Sequence, residues 1–175
     1  MSNSLFIVII ALLVPLAIII TYYDVRYRRI PNAFVLATLA SGLIINTIYS
    51  GLDGTLASLG GCAVAFILMF VLHIFGAMGA GDVKLFAAVG SLVGTQLVLP
   101  TFLVVILTGG ALALLLMLQT GAVRATMHRV LQILVGLLPG WEMPRFSVPS
   151  DRRQTIPYGV AITFGSLISL AIFRA

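Results

Sequence analysis

Charge is what this sequence has least of: 9% of its 175 residues are Asp, Glu, Lys or Arg, against roughly 25% in soluble domains. Beside 61% hydrophobic residues, that scarcity excludes an ordinary water-soluble fold and implies an all-α, polytopic membrane protein. Cysteine is nearly absent too. Cys62 stands alone in an apolar segment, so an intramolecular disulfide and a CxxC metal site are excluded, and it reads as a small packing residue. No polar stretch is long enough to build a second core in water, so residues 1–175 are expected to form one membrane-embedded domain. The net charge of +5 comes from basic residues between apolar segments, where they set topology; no nucleic-acid motif accompanies them.

What the chain has in abundance is spanning segments. A helix needs about 20 residues to cross the hydrocarbon. The first candidate is Leu5 to Tyr23, followed by Asp24 and the cations Arg26, Arg28 and Arg29. With no basic residue before it and no small-residue cleavage pattern after it, it reads as a retained span. Ala33 to Tyr49 and Thr55 to Phe75 follow, separated by a turn at Ser50 to Gly54 in which Asp53 is expected to be solvated. His73 reads as a packed or interfacial histidine, since no second ligand stands at metal spacing. From Leu85 to Leu118 there is no charge, and a break at Gly94-Thr95-Gln96 or Pro100 divides this run into Val83–Val98 and Thr101–Leu118. The last candidate is Pro157 to Phe173.

Charge asymmetry supports that break. With it, Arg26, Arg28, Arg29, Lys84, Arg124, Arg129, Arg145, Arg152 and Arg153 share one side and only Arg174 is opposite. The positive-inside rule then predicts six transmembrane helices with both termini outside the cytoplasm. Between Ala122 and Leu138 the apolar residues recur at helical spacing opposite Arg124, His128, Arg129 and Gln132, which predicts an amphipathic helix on the cytoplasmic surface. From Glu142 to Gln154 an irregular loop is expected.

The block Gly79-Ala80-Gly81-Asp82-Val83-Lys84 organises the rest. An ionisable group at the bilayer centre costs somewhere between ~3 and ~17 kcal/mol, so it is rarely there without a task. Glycines beside it let another chain approach the backbone closely. Alone, the block also reads as a helix end followed by a start that Asp82 caps. The topology adds a second acid. Asp24 ends the first span and Asp82 begins the fourth, so both fall at the same depth on the cytoplasmic side, with Asp53 on the far side. Two carboxyl groups within a few Å tend to share one proton. The ionised member can take a proton from water while the protonated member hydrogen-bonds a scissile carbonyl, which are the parts for peptide hydrolysis.

Three blocks in order carry a resemblance: Asp24 with Ile30-Pro31-Asn32, Gly79 to Lys84 with Leu85-Phe86-Ala87, and Ile156-Pro157-Tyr158-Gly159-Val160-Ala161-Ile162. Together they resemble the prepilin peptidase family of GxGD membrane aspartic proteases, over nearly the whole chain, and most of all its short form serving Flp, or tight-adherence, pili. The resemblance implies that Asp24 and Asp82 are the catalytic pair, with Gly79, Gly81 and Lys84 in support. It implies a prepilin or pseudopilin substrate, cleaved behind a short basic leader at the cytoplasmic face of the inner membrane. No metal or organic cofactor is implied, because water is the only cosubstrate. Longer members carry a cytoplasmic insert with paired CxxC motifs and also methylate the new N-terminus. With a single cysteine and a short first loop, Asp24 to Asn32, this chain is expected to lack N-methyltransferase activity. An archaeal preflagellin peptidase shares the GxGD block and is the near alternative. A transporter using intramembrane carboxylates and a non-catalytic membrane assembly protein are the others.

Overall fold

The structure is a computed structural model that describes residues 3–75, 78–120 and 158–173, all of them helical or in short connections. The helices are α1 (Asn3–Tyr27), α2 (Asn32–Ile74), α3 (Ala80–Thr120) and α4 (Tyr158–Ile172). The first three are long and apolar enough to cross a membrane, and α4 is a shorter apolar helix. The chain divides into two compact units, Met1–Gly109 with Pro157–Ala175, and Gly110–Ile156. Of the second unit, the end of α3 is the described part; the amphipathic helix and irregular loop expected beyond it lie outside the described residues.

Length alone shows that α2 and α3 cannot be straight rods within one bilayer: 40 or more residues at ~1.5 Å each exceed ~30 Å of hydrocarbon about twofold. Each is broken at one glycine. Gly51 (φ 59°, ψ −137°) and Gly94 (φ 75°, ψ 172°) lie in backbone regions that L side chains rarely enter. The contacts show that the chain turns back at both. Asn46 and Ser58 both donate to the Ser91 carbonyl, at 2.9 and 2.8 Å, although a straight helix would hold them about 18 Å apart. Phe86 and Phe102 have ring centroids 5.9 Å apart where a straight helix would give about 24 Å. Each long helix is therefore, within the first unit, a pair of antiparallel arms, 32–50 with 52–74, and 80–93 with 95–109.

These breaks refine the sequence reading. Helix resumes directly after Gly51, so the turn is tighter than Ser50 to Gly54, and Asp53 is exposed within the first turn of the second arm. The second break falls at Gly94, with Pro100 inside the following helix. α1 runs on to Tyr27, which places Asp24 within the helix's last turns rather than after its end.

Polarity is distributed as in proteins that face lipid. Large apolar side chains point outward, among them Ile18, Leu36, Ile48, Leu52, Leu56 and Leu107. The inner face of α2 is lined by small and polar residues, Thr38, Gly42, Asn46, Gly54, Ser58, Gly61 and Ala65. Lipid offers no hydrophobic gain for helix association, so close packing of small residues and interhelical hydrogen bonds must supply it. The centre is the arm that begins at Ala80: apart from the exposed Lys84, every residue from Val83 to Gly94 is buried. Both arms of α2 lie on it. Gly61 and Gly90 meet backbone to backbone, and a Cβ on Gly90 would stand 2.6 Å from that of Ala65. α4 fits between α1 and the arm 95–109: Gly159 meets Ile20 and Asp24, Gly165 meets Val105, and Thr101 bonds Ser169 at 2.9 Å.

Candidate active site

The buried stripe of α1 runs Leu5, Ile9, Leu13, Leu16, Ile20, Asp24. Steps of three and four residues keep one helix face inward, so the carboxylate occupies the next position of an otherwise apolar row. Asp24 is 7% exposed. Its Oδ2 accepts a hydrogen bond of 2.8 Å from the backbone N–H of Gly159 in the first turn of α4, and the Val160 amide and the Arg28 charge also bear on it. The unsatisfied amides and positive dipole end of a helix start favour an anion there.

Asp82 is half-buried in the first turn of α3. Its Oδ2 accepts from the Gly79 N–H at 3.1 Å, while the Asp82 N–H donates to the Gly79 carbonyl at 3.1 Å. The carboxylate bond is the N3-to-N-cap half of a capping box, with Gly79 as N-cap, and the other bond is the backbone turn that starts the helix. A ring nitrogen of His73 lies 2.7 Å from the Met78 carbonyl, tying the end of α2 to the residue before Gly79. A Cβ on Gly79 would sit 3.2 Å from the Asp82 carboxylate, which is tight; one on Gly81 would meet Ile30 at 3.7 Å, an ordinary contact. Lys84 is exposed one residue beyond the buried Val83.

The two acids come together at one end of the first unit. The charge of Asp24 bears electrostatically on Asp82, and that of Asp82 on Tyr158. Tyr158 is half-buried, its ring carbon Cε1 3.5 Å from where a Cβ on Gly109 would be. Asp53 lies beside Gly51, at the turn between the arms of α2, and takes no part. Among the described residues no cluster of His, Cys, Asp and Glu could hold a metal ion. Reasoning from sequence named both acids and the glycines around Asp82 and read His73 as a packed or interfacial residue, but it used Ile30, Tyr158 and Gly159 only as marks of resemblance and gave them no part in the site. The signal for Gly159 was its place beside Pro157 at a helix start, where a small residue leaves the amides open to a partner.

A helical, apolar-surfaced bundle with two neighbouring carboxyls at one end belongs to the class of membrane proteins that keep ionisable groups for a task. The sequence pattern of the type IV leader peptidase family matches residues 11–114, more than half of the chain, and the chain belongs to that family. A prepilin leader peptidase/N-methyltransferase of Bacillus subtilis (strain 168) is 27% identical over 161 residues, which cover 89% of this chain and 52% of the relative. The chain thus spans about half the length of that relative. No solved structure matches it.

Proposed function

We propose that this chain is an aspartic endopeptidase that removes the short basic leader from prepilins or pseudopilins at the cytoplasmic face of the inner membrane. In this reading residues 1–175 are one membrane-embedded domain that crosses the bilayer six times with both termini outside the cytoplasm. The observation that carries it is the pairing of a carboxylate buried in an apolar stripe, Asp24, with Asp82 at the same end of the bundle. One carboxyl, ionised, takes a proton from water as the water oxygen attacks the scissile carbonyl. The other, protonated, hydrogen-bonds the carbonyl oxygen as it becomes negative. Collapse of the tetrahedral intermediate breaks the C–N bond, and the proton taken from water goes to the departing amine.

Gly79 and Gly81 support the reaction by keeping the approach to Asp82 low, and Lys84 supplies a cation at the same border. The short form serving Flp pili fits the four residues, 28–31, that connect α1 and α2. There is no room in that connection for a metal-binding insert, and we propose that the chain transfers no methyl group.

One observation favours a second reading, that of a membrane assembly protein without catalysis: each acid caps a helix start, Asp24 on Gly159 and Asp82 on Gly79. The test is cleavage of a prepilin with a basic leader by purified wild type, Asp24→Asn and Asp82→Asn. Asparagine keeps an acceptor oxygen for the cap and removes the ionisable proton. Loss of cleavage in both folded variants is the expected result; cleavage by either would sink the dyad. Incubation with a labelled methyl donor checks the second claim, and label on the new N-terminus would refute it.

A further inference from the structure

We infer that Gly159 is a positioning residue for the reaction proposed above: its bare α-carbon and its N–H together fix the carboxylate of Asp24. The N–H holds Oδ2 at 2.8 Å. The missing side chain matters as much, for a Cβ at 159 would stand 2.8 Å from Oδ2, 3.2 Å from Cγ of Asp24 and 3.0 Å from Cγ2 of Ile20. None of these can give way easily: Ile20 is fully buried and Asp24 nearly so.

The amide cannot retreat either, because α4 is held along its length. Gly165 is seated against the Cα of Val105, 2.8 Å from where its Cβ would be, and Thr101 is bonded to Ser169. Tyr158 is packed at Gly109. The start of α4 is therefore a fixed stop for the carboxylate, and a methyl group there must displace Asp24 or break its hydrogen bond.

This inference rests on the peptidase reading for its kinetic consequence but not for the contact itself, and the experiment separates the two. Gly159→Ala is prepared in the wild-type, Asp24→Ala and Ile20→Ala backgrounds, and thermal unfolding is followed in detergent. The drop in Tm caused by Gly159→Ala should be smallest where Asp24 has been cut back. If Gly159→Ala alone fails to fold, recovery of folded protein in the Asp24→Ala double variant is the same result. An equal drop in all three backgrounds, or failure of the double variant as well, would overturn the inference. The kinetic arm measures cleavage of a basic-leader prepilin per folded molecule by Gly159→Ala. Misplacing a reacting group by about 1 Å costs about 100-fold, so kcat should fall by that order while KM stays near the wild-type value. A change in KM alone, or no change per folded molecule, would show a packing role only. A wild type that cuts no prepilin would remove the peptidase reading and leave the stability comparison to decide the contact.

Discussion

Thr21 lies one helical turn before Asp24, and its hydroxyl is buried with no hydrogen-bond partner among the described residues. A hydroxyl in a helix ordinarily bonds the carbonyl four residues back. Leaving it unpaired costs about 1–3 kcal/mol, so the near-isosteric Thr21→Val should raise the unfolding free energy by about 1 kcal/mol, read as a higher Tm in detergent. Gly81 makes a different prediction. Its space admits a methyl group, and alanine is favoured over glycine within a helix by about 0.5–1 kcal/mol. Gly81→Ala should therefore fold at least as stably as the wild type and yet, in the peptidase reading, lose cleavage, because the glycine there is proposed to give a substrate backbone access. Unimpaired cleavage would show that the glycine does not serve access. At this scale the acids were legible because a carboxylate in an apolar row stands out in any alphabet. Gly159 was not, because its partner is an atom of a residue far away in sequence, and nothing in Ile156-Pro157-Tyr158-Gly159 says which helix will lie against it.

Among the elements, the break at Gly94 has the most demanding chemistry. A continuous helix would satisfy the Ser91 and Leu92 carbonyls with the amides of residues 95 and 96. The turn removes those donors, and Ser91 and Leu92 are buried, where unpaired carbonyls are costly. Asn46 Nδ2 reaches Ser91 O at 2.9 Å and Leu92 O at 3.2 Å, and Ser58 Oγ adds 2.8 Å to Ser91 O, so two residues of α2 cap a helix end on α3. Asn46→Ala should cost about 1–3 kcal/mol through the stranded acceptors, and Asn46→Leu no less. Gly94→Ala should cost about 1–3 kcal/mol through its backbone alone. Both are checked by thermal unfolding and by yield of monodisperse protein in detergent. The sequence located the break to within a few residues, since glycine and the length of the uncharged run mark it. It was silent on the capping, because Asn46 in a row of Ile, Leu and Gly looks like any tolerated polar residue.

Among the described residues of the whole molecule, the two reversals give five arms from α1 to the end of α3, with α4 as a sixth helical segment. The proposed six crossings make a prediction about sidedness. Cys62→Ala removes the chain's one thiol, after which Arg29→Cys should react with an impermeant thiol reagent only from the cytoplasmic side and Asp53→Cys only from the other. Labelling of both from one side would refute the six-crossing topology. That expectation comes from the distribution of basic residues, because membrane insertion itself reads those charges. Which helices touch was not readable, since lipid-facing and protein-facing surfaces are both apolar and only the small residues betray the difference.

The two acids are mounted on different supports. Asp24 is fastened across α1 to the start of α4, whereas Asp82 is fastened to its own first turn at the head of the arm that α2 surrounds. A shift of the α1 and α4 pair against that arm would change the gap between the carboxyls while leaving each one's own anchor intact. In the peptidase reading that separation is a gauge of how the first unit is packed, and a small molecule wedged between α4 and residues 95–109 should slow cleavage without touching either acid.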